Sequence, residues 1–120
     1  MKDYSILQYA HIGDSVYETL IRKHLIEKGI VKIKDLKEES LKYVTAKRQA
    51  YFIEKLSSFF TEEEKDFLRR GRNVKTNSKP KSCDILTYKH STAFEALIGK
   101  LYMEDNMSRI KEIISEIVKE

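Results

Sequence analysis

Apolar residues recur along this chain at the three- and four-residue spacing of α-helices, and no alternating stretch is longer than a few residues. The first helix is expected over about Tyr4–Lys28, where Gly29 can end it. Later helices are expected from near Asp35 through Tyr43, from Thr45 through Leu56, from the Thr61–Glu64 capping box to near Gly71, from Asp84 through Glu95, and from Asn106 or Ser108 onward. Residues 73–82 lack apolar periodicity and are expected to form a loop. The pattern predicts an all-α fold with the first helix at its centre.

The length of 120 residues predicts one domain spanning residues 1–120, built on a single hydrophobic core, with no room for a second domain. Cys83 is the only cysteine, so no internal disulfide can form, which suits a reducing cytosol. The chain begins without a secretory signal and has no apolar run of about 18 residues. We therefore expect a soluble, cytoplasmic protein with no membrane partner.

Two short segments each place a carboxylate among apolar neighbours. Ile12–Val16 contains Asp14, and Phe94–Gly99 contains Glu95. At about 100° per residue, Asp14 and Glu18 share a helix face with Leu7 and Leu25. Glu95 shares its face with Tyr88, Ile98, Gly99 and Tyr102, so both helices are expected to bury ionised groups. Buried carboxylates without partners are costly, and a hard divalent cation between them is the obvious remedy. Taken singly, however, Asp14 can reach Arg22, and Glu95 can pair with Lys100 or His90.

Two glycines weigh against these separate ion pairs. Gly13 precedes Asp14, and Gly99 lies one turn after Glu95, both in the middle of a predicted helix. A mid-helix glycine costs on the order of 1 kcal/mol relative to alanine, a cost usually tolerated where two backbones must approach closely. We therefore expect the two helices to cross at these glycines and bring Asp14 and Glu95 together.

The formal net charge is +4, from 23 lysines and arginines against 19 acids. The excess is concentrated between Arg69 and Lys89, where Asp84 is the one acid. Clustered cations beside polar residues, glycine and proline are typical of a loop that follows a phosphate backbone. A solvated run of surface charge explains the same pattern equally well.

The two carboxylate segments carry a family resemblance. Ile12–Val16 resembles the first signature of the ribonuclease III family, and Phe94–Gly99 is similar to its second motif. Val44–Ala50, Arg70–Asn73 and Ser91–Glu95 more closely resemble the short bacterial Mini-ribonuclease III branch. Each motif alone is moderately specific, but their order and spacing over most of the chain make the resemblance strong.

The resemblance implies a dimeric all-α endonuclease that cuts double-stranded RNA and leaves 5′-phosphate and 3′-hydroxyl ends. It implies Asp14 and Glu95 as the catalytic metal carboxylates, with magnesium as the cofactor. Glu18, one turn from Asp14 on the same helix face, is a further candidate ligand. The full-length enzymes of the family have two more acids, where this chain has Ala10 and Thr92. In the Mini branch the expected substrate is precursor 23S ribosomal RNA, with a ribosomal protein as a possible assistant.

The RNA backbone is expected to contact the basic segment, with a second candidate path near the third helix. The residues concerned are Arg69, Arg72, Lys75, Lys79 and Lys81, with Lys47 and Arg48 as the alternative. A catalytically silent ribonuclease III-like module that grips RNA or a ribosome is the competing hypothesis, and Ala10 and Thr92 give it some weight. A helical protein-interaction adaptor would leave Asp14, Glu95 and the basic segment unexplained.

Overall fold

The computed structural model describes residues 3–75 and 83–119, and within these ranges the chain is helical without strands. Six helices follow one another: α1 (Ile6–Glu27), α2 (Ile33–Val44), α3 (Ala46–Lys55), α4 (Glu62–Arg72), α5 (Ile85–Met103) and α6 (Met107–Val118). The predicted all-α fold is therefore confirmed. None of the helices in the described ranges is both long and apolar enough to cross a membrane.

Most helix starts follow the predicted capping chemistry. Thr61 and Glu64 form the predicted capping box of α4, and the Asp84 carboxylate accepts a hydrogen bond from the backbone of Thr87 at the start of α5. The start of α2 differs from the prediction, because Lys32 precedes the helix without a side-chain cap and Asp35 lies inside its first turn. The predicted loop over residues 73–82 lies largely outside the described residues.

The central helix is α5, which corrects the prediction that the first helix occupies the centre. α5 packs against α1, α3, α4 and α6, whereas α1 packs mainly against α5 and α2. The reason lies in the sequence of α5, which has small or apolar residues all around its middle turns: Ala93, Phe94, Ala96, Leu97, Ile98 and Gly99 are all buried. A helix that is apolar all round belongs in the interior.

The helices α1 and α5 cross in close contact at Gly13 and Gly99, as the sequence predicted. A β-carbon placed on Gly13 would lie 1.8 Å from the carbonyl oxygen of Glu95, and one placed on Gly99 would lie 1.8 Å from the carbonyl oxygen of Tyr9. The two backbones are therefore in direct contact, with glycine on both sides. Tyr17 and Phe94 pack edge to face beside the crossing, with ring centroids 5.1 Å apart.

The last helix is tied to the bundle by a largely buried ion pair. The Arg109 guanidinium donates to both carboxylate oxygens of Glu64 on α4, at 2.7 and 2.8 Å, and also to the carbonyl of Phe59 at 3.2 Å. Such bidentate geometry satisfies the donors and acceptors that burial would otherwise leave unpaired.

Candidate active site

The crossing of α1 and α5 brings Asp14 and Glu95 within hydrogen-bonding reach of each other. Glu95 points from the middle of α5 into a mostly covered space, while Asp14 is exposed at the edge of the crossing. The expectation that both carboxylates are buried is therefore wrong for Asp14. Gly13 lies at the contact between α1 and α5, and Asp14, the next residue along α1, therefore lies at the exposed edge of this contact.

The environment of Glu95 favours its neutral form. Burial raises its pKa to about 8, and the neighbouring Asp14 carboxyl adds to the shift through its hydrogen bond and its charge. The amide of Gln49 opposes the shift, and Glu18 contributes a smaller repulsion. A cation between the two carboxylates would remove the repulsion and favour the ionised form.

Two of the three side chains that the sequence offered as separate partners form ion pairs with other residues. Arg22 lies 3.6 Å from Glu18, and Lys100 lies 2.7 Å from Glu104. Neither therefore neutralises Asp14 or Glu95.

The chemistry of these donors fits a hard divalent cation, because carboxylate oxygens are its preferred protein ligands. Within residues 3–75 and 83–119, no three acidic, histidine or cysteine side chains converge closely enough to hold a metal ion on their own. Glu18 therefore does not complete a three-carboxylate cluster with Asp14 and Glu95. The remaining coordination positions would have to be filled by water or by substrate oxygens.

The two positions where full-length family members have additional acids hold no ligand here. Ala10 is buried in the core, and the Thr92 hydroxyl donates to the carbonyl of Tyr88, 3.1 Å away in its own helix. Of these four positions, only Asp14 and Glu95 therefore carry a carboxylate.

Gln49 is a site residue that the sequence reasoning missed. It lies on α3, is only 1% exposed, and its amide nitrogen is 3.4 Å from a carboxylate oxygen of Glu95. Its amide oxygen accepts a hydrogen bond of 2.6 Å from the buried hydroxyl of Ser91. The available signal was a glutamine at a core-facing position of a short helix, next to Phe52 in the helical repeat.

The predicted RNA-binding residues lie in two separate places. Arg69 pairs with Asp66 on α4, and Arg72 is half-buried near His90, whose pKa is lowered by burial and by the Arg72 charge. Lys75 is exposed after the end of α4, and Lys79 and Lys81 lie outside the described residues.

The end of α4 packs on the side of α5 that faces away from Glu95. Gly71 meets Ala93, and Ala93 is about 200° from Glu95 around the helix. The end of α4, with Arg69 and Arg72, is therefore not in contact with the paired carboxylates.

The second candidate group, Lys47 and Arg48, lies on α3, the helix whose Gln49 contacts Glu95. Lys47 is exposed at the start of α3. The Arg48 guanidinium donates to the carbonyl of Lys42 at 2.9 Å and lies 4.5 Å from the ring centre of Tyr51. Arg48 thus supports the joint between α2 and α3, and Lys47, about 200° from Gln49 around α3, is the more accessible of the two cations.

Comparison with known proteins agrees with this architecture. Residues 7–106 match the family model described as the ribonuclease III domain. A Mini-ribonuclease 3 from Symbiobacterium thermophilum is 43% identical over 108 residues, covering 90% of this chain and 83% of that protein. A Mini-ribonuclease 3 from Brevibacillus brevis is 44% identical over 110 residues, covering 92% and 82%.

A solved structure shares the whole arrangement. The crystal structure of a protein from Fusobacterium nucleatum superposes with a TM-score of 0.85 at 36% identity, covering 98% of this chain and 94% of that one. The match to the ribonuclease III domain in sequence, together with the shared helical fold, identifies the chain as an endoribonuclease. The chain belongs to the ribonuclease III domain family, in the group whose members are named Mini-ribonuclease 3.

Proposed function

We propose that Asp14 and Glu95 together bind a magnesium ion and that this site hydrolyses phosphodiester bonds in double-stranded RNA. The observation that carries the proposal is the contact of two carboxyl groups across the α1–α5 crossing, with Arg22 and Lys100 paired to other carboxylates. The family acts on double-stranded RNA and is generally metal-dependent. The identity of the ion is inferred from the oxygen-only donor pair.

Each carboxylate has a distinct task in this proposal. Asp14, at the exposed rim, is accessible to the incoming RNA backbone, while Glu95 is held at a fixed depth by α5 and Gln49. Bound magnesium would lower the pKa of a water molecule and neutralise charge on the scissile phosphate. Burial, with the Asp14 carboxyl adding to it, raises the pKa of Glu95, and a bound cation would favour the ionised form, so Glu95 would release its proton on metal binding. The expected products carry 5′-phosphate and 3′-hydroxyl ends.

The arrangement of the substrate supports a homodimer. An RNA duplex presents two antiparallel strands related by a local two-fold axis, so a symmetric pair of sites can cut both strands. Several large apolar side chains are exposed on the described surface and are available for subunit contact: Leu7, Ile26, Val31, Ile33, Leu41, Ile85 and Leu86. A-form RNA would be read through its shape, phosphates and 2′-hydroxyls rather than its bases.

We further propose that the natural substrate is precursor 23S ribosomal RNA in the cytoplasm, with a ribosomal protein as a helper. The support for this finer proposal is the resemblance of Val44–Ala50 and Ser91–Glu95 to the Mini branch, together with relatives named Mini-ribonuclease 3.

The deciding experiment incubates the purified protein with a defined RNA duplex at several magnesium concentrations, with EDTA as the metal-free control. We expect cleavage only with the metal, and products that a 5′-phosphate-dependent exonuclease degrades. Magnesium-independent cleavage, or products with 3′-phosphate ends, would contradict the proposed mechanism. Tight RNA binding without cleavage under every condition would favour the silent binding module instead.

A further inference from the structure

A line of three polar side chains runs from α5 through α3 and back to the carboxylate of Glu95. The Ser91 hydroxyl donates to the Gln49 amide oxygen at 2.6 Å, and the Gln49 amide nitrogen faces a Glu95 oxygen at 3.4 Å. Ser91 is 6% exposed and Gln49 is 1% exposed, so neither has ready access to bulk water. Burying such groups is costly unless their hydrogen bonds are specific, so the arrangement requires an explanation.

Ser91 departs from the usual behaviour of a hydroxyl inside a helix. Serine and threonine commonly donate to a carbonyl one turn earlier, as Thr92 does to Tyr88 at 3.1 Å. The Ser91 hydroxyl instead reaches across to another helix and donates to Gln49. Its hydrogen-bonding capacity is thereby used to fix the amide of a neighbouring side chain.

The direction of the glutamine amide matters because its two ends have opposite character. With the oxygen held by the Ser91 hydroxyl, the NH₂ group must point at Glu95 and can donate to an ionised carboxylate. The reversed amide would place its oxygen against the Glu95 carboxylate and repel it. An ionised Glu95 therefore favours this orientation, and the Ser91 hydroxyl stabilises it by donating to the amide oxygen.

We propose that Gln49 is a positioning residue, oriented by Ser91, which holds the Glu95 carboxylate toward Asp14 in the geometry that binds the metal ion. This inference rests on the proposed function of Asp14 and Glu95. It adds α3 to the site, which the metal carboxylates alone would confine to α1 and α5. Residues that orient metal ligands commonly change metal affinity by about 10- to 100-fold when they are replaced.

The first test observes the Gln49 amide directly. The sequence contains two glutamines, so selective labelling of glutamine side chains with ¹⁵N gives two NH₂ signal pairs, which a Gln49→Met variant assigns. Gln8 is the internal control, because its exposed side chain caps α1 by accepting from Ser5. Magnesium should shift the Gln49 signals and leave those of Gln8 unchanged. Unmoved Gln49 signals at a magnesium concentration that supports full cleavage would overturn the inference.

The second test compares Gln49→Met, Ser91→Ala and the double variant. We expect Gln49→Met to raise the half-saturating magnesium concentration about tenfold or more, with a smaller change in the KM for RNA. Ser91→Ala should have an intermediate effect, and the double variant should be no worse than Gln49→Met, because both changes break one line of contacts. Thr19→Ala is the matched control, since its hydroxyl donates within its own helix to Ser15. Calorimetric titration with Mn²⁺ provides a readout independent of activity.

These outcomes distinguish the role of Gln49 from the proposed metal site of Asp14 and Glu95 on which it rests. Unchanged magnesium dependence and Mn²⁺ affinity in Gln49→Met would overturn the role of Gln49 even if Glu95→Gln is inactive. Full activity of Glu95→Gln would instead overturn the metal site itself. If Gln49→Met does not fold, Ser91→Ala and the labelled amide signals of the unmodified chain decide the question, and an unchanged magnesium dependence in Ser91→Ala contradicts the orienting role.

Discussion

At the scale of single residues, the two carboxylates of the site differ in their surroundings. Glu95 is largely covered by α1 and α3, whereas Asp14 stands at an exposed rim. Desolvation acts most strongly on the covered group, which is why the pKa of Glu95 is raised to about 8. Proton release on metal binding is therefore expected mainly from Glu95.

This raised pKa predicts how the metal-free protein responds to pH. The folded chain keeps a proton on Glu95 up to about pH 8, while the unfolded chain loses it near pH 4.5, so stability falls as pH rises between these values. Denaturant unfolding at a series of pH values should show this fall in the original protein but not in Glu95→Gln. Saturating magnesium should remove most of the difference, and a parallel pH profile for the two proteins would contradict the shift.

Replacement of either carboxylate by its amide tests the site most directly. We expect Asp14→Asn and Glu95→Gln each to abolish cleavage while RNA binding and fold persist, because the amides keep the shape and lose the charge. Glu18→Gln should give a smaller defect, since its carboxylate already lies beside Arg22. Gel-based cleavage assays measure the rates, and substantial magnesium-dependent cleavage by Asp14→Asn or Glu95→Gln would refute the assignment.

Sequence reasoning predicted this site unevenly. Gly13 and Gly99 indicated the crossing because a mid-helix glycine is unfavourable without a packing reason, and the structure confirms the contact. The exposure of Asp14 was not predictable from helical periodicity, which gives a residue's direction on its own helix but not where the neighbouring helix ends. Gln49 was missed because its partners, Ser91 and Glu95, lie on a helix that only the tertiary fold brings to α3.

At the scale of helices, the crossing of α1 and α5 controls both packing and chemistry. Alanine at a glycine in an unobstructed helix stabilises it by about 1 kcal/mol. At Gly13 the added carbon would meet the Glu95 carbonyl at 1.8 Å, so two backbones would have to separate. The same separation would pull the two carboxylates apart.

We therefore predict that Gly13→Ala destabilises the fold by at least about 2 kcal/mol and lowers cleavage more than RNA binding. Gly71→Ala is the comparison, because its added carbon would meet the Ala93 side chain at 3.1 Å, a contact that a small shift can relieve. Thermal unfolding measures both variants. Equal stability of Gly13→Ala and the original chain would show that the helices can separate without cost.

The order of the helices along the chain was predicted well, but the helix at the centre of the fold was not. Capping residues such as Thr61 and Asp84 act within one turn, so the local sequence determines where α4 and α5 begin. Which helix becomes central depends on how many neighbours each one can accept. Small residues on several sides, including Ala93 and Ala96, give α5 that capacity, and the longer α1 lacks it.

At the scale of the whole molecule, charge and apolar surface are distributed unequally. The cations near the end of α4 pack away from the paired carboxylates, whereas Lys47 lies on the helix that contacts Glu95. An RNA duplex that reaches both groups would have to extend across more than one face of the domain, or across a subunit boundary.

Replacing Arg72, Lys75, Lys79 and Lys81 together by glutamine should weaken RNA binding and flatten its salt dependence. Each lost phosphate contact should reduce the slope of log K against log salt by roughly 0.7 to 0.9. Cleavage at saturating RNA should change less, because these residues do not belong to the carboxylate pair. Fluorescence anisotropy from low to moderate salt measures the slope. An unaltered slope would indicate that the RNA backbone binds along Lys47 and Arg48 instead.

The exposed apolar residues predict a homodimer in solution. Val31, Ile33 and Leu41 are among the most exposed large hydrophobic residues, and a soluble monomer rarely shows many such side chains in contiguous patches. Sedimentation velocity at micromolar concentration should give the mass of two chains. A monomer that still cuts both strands of a duplex would contradict the symmetry argument.

The glycine crossing also has a consequence for biosynthesis. Chains are made from the N-terminus at about 5–20 residues per second, so α1 is complete well before α5 is synthesised. Until then Asp14 lacks its partner carboxylate Glu95, and Gly13 on α1 has no α5 backbone to pack against. The proposed site therefore cannot form during most of the chain's own translation, when the messenger RNA that encodes it is closest, and we expect nuclease activity only once α5 has docked.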